Sequence, residues 1–548
     1  MTGLAGWDWA VIALYFTGIA AVAWWSSRHQ ETSKDYFLAG RNIGWFIIGG
    51  SLFATNIGSE HIVGLAGSGA KSGMAMAHYE LHAWCILVLG WVFVPFYWRS
   101  GIFTTPEFLE KRYNATVRWI LSVVSLVAYV FTKVSVTVYA GGVVFKTLLP
   151  EGTFGGLDNF WVGAVTTVVA TGIFTVSGGL RAVVFTDTAM AFVLLAGSLC
   201  ITAIGLSSVG GWGELRRLCG SEHFNMWRPA SDPNFPWAGM LFGAPIVGLW
   251  YWCTDQYIVQ RTLAARNLQQ ARRGTIWGAY LKLTPVFLFI VPGMIAYALA
   301  RLGKIELASP DLAFPVLVGY LLPTGLKGLV VAGLLAALMS SLSSLFNSAA
   351  TLFTVDIYEK IRPGRSEKHL VRVGRIATTV VVLLGIAWIP VMRYVAGALY
   401  EYLQSVQAYL GPPITAVFFL GIFAKRVNAA GAIAGLVVGF VLGMAKMGAQ
   451  ILAGVESLSG QLPAWLVAFG KFNFLYFCLV LFAVSVATVV IASLLTRRPD
   501  VAKLDGLTYS TVSAAGKAED RRSWTAWDVV HTVIILSIIA AVYLYFTG

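Results

Sequence analysis

Long apolar runs follow one another along nearly the whole of this chain, separated by short polar or basic loops. An apolar run of about 18 residues or more is long enough to cross a bilayer as a helix. The pattern therefore predicts an all-α polytopic membrane protein of about fourteen transmembrane helices. Spans are expected near 7–25, 43–67, 78–98, 119–147, 160–177, 182–208, 237–258, 275–300, 327–357, 373–396, 399–423, 430–450, 470–496 and 524–547. The second of them is interrupted. Between Ser51 and Leu65 it carries Thr55, Asn56, Gly58, Ser59, Glu60 and His61, and charge at that depth is costly unless it faces protein or water. Gly58 amid short side chains predicts a broken helix whose freed backbone groups act as ligands. An unbroken helix packed through small residues is the plain alternative.

Gly243, Pro245 and Gly248 predict a second interruption in the span 237–258. Five spans from 43 to 208 and five from 237 to 423 thus each begin with a broken helix, and an odd number per unit inverts the second repeat. Paired interrupted segments point to a transporter site at the bilayer midplane. An additional helix (7–27) precedes the repeats. The region 430–548 adds C-terminal helices around a polar linker, 497–523, expected to be cytoplasmic.

Composition agrees: of 548 residues, 57% are hydrophobic and 12% charged, with a mean hydropathy of +0.73. The net charge of +13 suggests nucleic acid at first sight. With both termini outside the plasma (inner) membrane, however, most Lys and Arg fall in cytoplasmic loops, which is the positive-inside bias of a bilayer protein. No nucleic-acid partner is expected. Lys133 and Lys282 remain inside spans. Four of the five cysteines lie in spans and Cys219 has no external partner, which argues against a disulfide framework. The N-terminus lacks a basic n-region and reads as a retained helix. No nucleophile–base pairing, metal cluster or phosphate loop suggests an enzyme. Nothing in the pattern specifies an oligomeric state.

Ala337, Ser340 and Ser341 stand at i, i+3 and i+4, on one helical face. Two hydroxyls and a carbonyl there, with the Ala54 and Ile57 carbonyls of the broken helix, make five hard oxygen ligands without a carboxylate, which suits a monovalent cation. Serines bonded only to their own helix are the alternative. The run Trp250-Tyr251-Trp252 offers aromatic faces for a sugar ring, with Asp255 and Gln256 beyond it; an interfacial aromatic belt would look similar. Lys282 needs a buried partner, for which Glu80 and Asp255 are candidates, and Gln404 is a further polar group inside a span. Asp187, with Thr55, Ser343 and Ser344, could complete a second cation site; as a helix-end acid near Arg181 it would need no such role.

With these residues assembled, the chain resembles the sodium/glucose cotransporter branch of the sodium–solute symporters. The likeness rests on DYFLAGRN, SLFATNIGSEHIVGLAGSGA, SGGLRAVVFTDT, LWYWCTDQYIVQRTLAARN, LAALMSSLSSLFNSAATLFTVDIYEK and YLGPPITAVFFLGIFAKRVN. It implies a LeuT-type core of two inverted five-helix repeats, Na⁺ as coupling ion on Ala54, Ile57, Ala337, Ser340 and Ser341, and a sugar on Asn56, His61, Glu80, Trp252, Lys282 and Gln404. Tyr251 would stack beneath the ring as an inner gate. His61 and Asp255 match the animal glucose carriers, whereas the best-known bacterial galactose carrier has Gln and Asn there. Asp187 and Ser343 match an acid and a hydroxyl of two-sodium members. Gly248 departs from the family, which usually has a side-chain hydrogen-bonder at that position. The resemblance implies sodium-driven uptake of a glucose- or galactose-type hexose, with myo-inositol, a carboxylate solute, proton coupling, or an uncoupled channel or sensor as rival readings.

Overall fold

The computed structural model describes residues 4–27, 32–149, 155–395, 399–454 and 461–548. The described chain is helical, with β-type pairing confined to two isolated bridges, Ile43 with Ala265 and Asn225 with Thr547. Among the described residues ten helices are long and apolar enough to cross a membrane. Shorter apolar helices stand at Ala115–Ala128, Asn159–Ile173, Gly239–Cys253 and Pro310–Leu321. The fourteen spans expected from hydropathy are not established by these ten.

Helix α1 (Gly6–Ser26) opens the chain. The next element is broken where Gly58 predicts. Helix α2 (Trp45–Asn56) stops, Ile57 and Gly58 are extended, and α3 (Ser59–Ser72) resumes. The last carbonyls of α2 therefore have no next turn to bond and face other partners. The side chains of Ser59 and Glu60 lie outside the described residues. Helices α4 (83–100) and α5 (115–148) each pass through one π-type turn, at Leu89–Phe93 and Tyr129–Val134. The spans expected at 160–177 and 182–208 are two helices that meet end to end at a non-helical Gly179, whose φ of 51° suits glycine; the pair is labelled α6 (Asn159–Val209).

The second broken element differs from expectation. A π-type turn at Gly239–Gly243 runs directly into Ala244–Cys253, forming α7 (239–253), and the break comes at Thr254–Asp255, before α8 (Gln256–Leu263). Pro245 sits in the first turn after the π-type turn, where a missing N–H costs little. Asp255 makes the new start, its carboxylate accepting from Tyr257 N–H.

Helix α9 (268–301) carries a π-type turn at Val286–Ile290, and α10 (326–361) one at Leu352–Tyr358. Helices α11 (Glu367–Val395), α12 (Leu399–Phe423), α13 (Ala429–Gly454), α14 (Phe474–Leu495) and α15 (Ala526–Tyr545) complete the set. Between α14 and α15 the linker forms only short helical pieces, the longest Ala514–Arg522.

Helix α10 lies at the centre, packed on α1, α2, α6 and α11, and nearly all its side chains are buried, serines included. Helices α1, α14 and α15 are comparably apolar yet mostly exposed. In lipid, apolar surface gains nothing by burial against another helix, so small and polar residues decide which helices are central. Close approach fixes the site helices as well. A Cβ on Gly69 of α3 would lie 2.2 Å from Ile290 O, and one on Gly293 of α9 2.0 Å from Ala66 O. No larger residue fits this crossing without moving the backbone.

Candidate functional site

The end of α2 and the middle of α10 meet in a buried polar cluster. Thr55 Oγ1 lies 3.2 Å from Ser344 Oγ and donates to Asp187 Oδ2 at 3.2 Å. Ser340 donates to Asp187 Oδ1 at 2.6 Å, and Ser51 to Oδ2 at 2.8 Å. The helix break and the serine face are thus brought together across α6, although Thr55 and Ser344 are 289 residues apart along the chain. Ala54, Ile57, Ala337, Ser340 and Ser341 are all buried. Ser341 Oγ has no hydrogen-bond partner among the described residues. A buried hydroxyl left unmatched costs about 1–3 kcal/mol, so an oxygen kept in that state is suited to a ligand. The donor set is oxygen only and lacks a carboxylate of its own, which fits a hard monovalent cation better than Ca²⁺ or Mg²⁺.

Asp187 is not a helix-end acid beside Arg181. It sits inside α6, fully buried, and faces a second buried charge, Arg261 of α8. The guanidinium donates through Nε to Thr55 Oγ1 at 3.1 Å, through Nη1 to Tyr257 O at 2.5 Å, and through Nη2 to Ser344 Oγ. Its Nη2 is 3.8 Å from Asp187 Oδ2. Of the candidate second-cation residues, Thr55, Asp187 and Ser344 come together. Ser343 instead donates to Ser340 O at 2.8 Å. A second ion in this cluster would compete with Arg261, which by sequence falls in a basic loop after the span 237–258 and in the structure is buried on α8.

Ser341 also lines a cavity of about 50 Å³. Asn56, His61, Glu80, Tyr251, Trp252, Lys282 and Gln404 line it, seven of the eight residues expected to meet the solute. Glu80 Oε2 accepts from Lys282 Nζ at 2.7 Å; both side chains are buried, so the charges cancel inside the wall. Glu80 Oε1 and Asn56 Oδ1 have no hydrogen-bond partner among the described residues. The face of Trp252 lies 5.8 Å from the Lys282 ammonium. At the floor, Asn56 Nδ2 donates to Tyr251 Oη at 3.2 Å and lies 3.4 Å from His61 Nε2. Tyr251 and Tyr257 share a hydrogen bond of 2.6 Å, and Tyr257 Oη donates to Thr55 O at 2.8 Å. The floor of the cavity is therefore linked to the backbone of Thr55, next to the candidate ion ligand Ala54.

Asp255 is the eighth residue, and it is not among those lining the cavity. Nor is it Lys282's partner. It bonds Lys133 Nζ at 2.6 Å and the Tyr129 hydroxyl while capping α8. A capping carboxylate turns back along its own helix, which here aims it at α5. Lys133, which also lines the cavity, has its Nζ 4.1 Å from the Tyr257 ring centre and 4.7 Å from that of Tyr251. Lys133 was visible in the sequence as a charge inside a span. Tyr257, Gln407 and His82, which also line the cavity, gave no such signal.

Known proteins share this chain's sequence pattern and fold. The family model described as the sodium:solute symporter family matches residues 36–439. The chain is 41% identical over 535 residues to sodium/glucose cotransporter 1 of Oryctolagus cuniculus, covering 90% of this chain and 80% of that protein. It is 39% identical over 540 residues to sodium/myo-inositol cotransporter 2 of Bos taurus, covering 92% and 79%. Among solved structures, a Na⁺-coupled sialic acid symporter in a substrate-bound outward-open state superposes with a TM-score of 0.74 at 22% identity, covering 90% of this chain and 99% of the other. That likeness supports the LeuT-type fold. The matched region spans both broken helices, the serine face and the cavity, and this chain belongs to the sodium:solute symporter family, multi-pass membrane carriers coupled to Na⁺ and not enzymes.

Proposed function

We propose that this carrier takes up a neutral hexose of the glucose or galactose type together with Na⁺. Na⁺ is held by the carbonyls of Ala54, Ile57 and Ala337 and the hydroxyls of Ser340 and Ser341. The sugar meets Asn56, His61, Glu80, Trp252, Lys282 and Gln404, with Tyr251 beneath it. The observation that carries the reading is the Glu80–Lys282 pair in the cavity wall, 2.7 Å apart. Because the two charges neutralise each other, the wall attracts neither a carboxylate nor an ammonium solute. Around it stand hydrogen-bonding groups with capacity to spare, Glu80 Oε1 and Asn56 Oδ1 among them. A polyol supplies donors and acceptors in the same small volume and suits that lining.

The ion completes the helix break in the outward-facing form, which readies the cavity. The sugar then closes over Tyr251, and the core rocks to release both on the cytoplasmic side. A potential of about 100 mV contributes ~2.3 kcal/mol per charge, and a tenfold Na⁺ gradient adds ~1.4 kcal/mol. One Na⁺ per cycle therefore sustains roughly several-hundredfold accumulation of a neutral solute. Since the sugar is uncharged, the cycle carries net charge. Addition of Na⁺ and glucose to oriented proteoliposomes should evoke an inward current that neither evokes alone; the absence of such current contradicts the proposal.

A second solute has a specific observation in its favour. The sodium/myo-inositol and sodium/glucose relatives stand at nearly equal identity, 39% and 41%. Competition between labelled glucose and myo-inositol in the same vesicles separates the two.

A further inference from the structure

Gly248 and His82 face each other across the cavity wall, and neither belongs to the solute contacts above. Both line the cavity, together with Glu80, Trp252 and Lys282. A Cβ built on Gly248 would stand 2.9 Å from His82 Nδ1 and 3.1 Å from Cys85 Sγ. The space that any larger residue at 248 would fill is occupied by the imidazole of His82, the residue that caps the start of α4. That ring is only 4% exposed, and its Nε2 is buried without a hydrogen-bond partner among the described residues. The rings of Tyr79 and Trp84 stand beside it, with centres 5.7 and 6.5 Å away, and neither gives Nε2 a hydrogen bond among the described residues.

A neutral imidazole brings one donor and one acceptor, and burying either unmatched is unfavourable. A helix crossing that existed only for packing would gain by placing an apolar side chain here. Instead a polar ring stands in the wall beside the Glu80–Lys282 pair, in room made by the absence of a side chain at 248.

We propose that His82 is a solute-contacting residue that reads one hydroxyl of the bound polyol, and that Gly248 serves it by leaving the space its ring occupies. This rests on the reading of the cavity as a polyol site. The two positions act as a unit: the hydrogen-bonding group comes from α4 instead of α7, which alters where around the solute ring a hydroxyl is read. Selectivity among epimers follows from that shift.

The test is a double-mutant cycle on purified protein in proteoliposomes, using whichever of glucose, galactose and myo-inositol the wild type accumulates. Wild-type uptake itself decides the polyol reading. If none of the three is accumulated, that reading and this proposal fall together. Given wild-type uptake, His82→Ala should raise the solute KM about five- to tenfold, the loss expected for one hydrogen bond, and leave the apparent Na⁺ affinity unchanged. His82→Gln should recover part of the affinity. The His82→Ala penalty should vanish for the one deoxy analogue that lacks the hydroxyl concerned, an outcome that a purely structural role would not give. Gly248→Ala should impair the wild type but have little effect in the His82→Ala background. A KM penalty equal for every deoxy analogue, unchanged KM in His82→Ala, or additive effects of the two substitutions would overturn the proposal. Should His82→Ala fail to fold, the Gly248→Ala protein and His82→Gln carry the same deoxy series.

Discussion

Two polar clusters lie side by side in the middle of this molecule, and they are built on opposite principles. Around Asp187 the groups are matched: the carboxylate accepts from Ser51, Thr55 and Ser340, and Arg261 donates to Thr55, Ser344 and the Tyr257 carbonyl. Around Glu80 the matching is incomplete. One carboxylate oxygen takes Lys282, while the other, together with Asn56 Oδ1 and Ser341 Oγ, finds no partner among the described residues. A saturated buried network holds helices in one arrangement. An unsaturated one tolerates its cost because something else completes it. The comparison separates the part of the core that ties helices together from the part proposed to bind ion and solute.

Substitutions should break the two clusters in different ways. The largest effect is expected for Arg261→Met. It leaves Asp187 buried without its counter-charge, which typically costs about 3–5 kcal/mol. Thermal unfolding in detergent should show a large fall in Tm or a loss of folded protein; an unchanged Tm would place Asp187 outside the structural network. Next comes Lys282→Met, which strands Glu80 within the wall. Solute uptake should be abolished, and Glu80→Gln added to Lys282→Met should recover much of the Tm but none of the uptake, since the charge problem is removed while the contact is not. Measured recovery of transport in the double variant would mean that the pair only braces the wall.

Gln404→Ala touches only the unsaturated side. Its solute KM should rise about three- to tenfold, with Tm and apparent Na⁺ affinity within error of the wild type. Isotope uptake at varied Na⁺ checks it, and a parallel loss of Na⁺ affinity would argue that α12 braces the ion site instead of meeting the solute.

Much of this division was legible along the chain, because some of it is local. The break at Ile57–Gly58 follows from small and polar residues within one span, and the serine face from an i, i+3, i+4 spacing. The Glu80–Lys282 pair could be anticipated because a lone ammonium in a span demands a counter-charge. What stayed hidden was long-range. Asp255 was offered to Lys282 on charge alone, and only the three-dimensional path of α5 shows why Lys133 claims it. Asp187 looked like a helix-end acid because nothing near it in sequence announces Arg261. The second break moved from Gly243–Gly248 to Thr254–Asp255 because proline and glycine permit an interruption, whereas a capping acid fixes where it occurs. Hydropathy also failed to separate the buried α10 from the exposed α15, since lipid and protein interior are equally apolar solvents.

The account depends most on Ser341, whose hydroxyl faces the cavity lining with no hydrogen-bond partner among the described residues. The direct measurement is labelled-glucose uptake by Ser341→Ala in proteoliposomes across a range of external Na⁺, choline making up the balance. The apparent Na⁺ affinity should fall about tenfold or more while Tm holds or rises, since an unmatched polar group has been removed. Uptake with wild-type Na⁺ dependence would contradict the assignment of the ion to the helix break and the serine face.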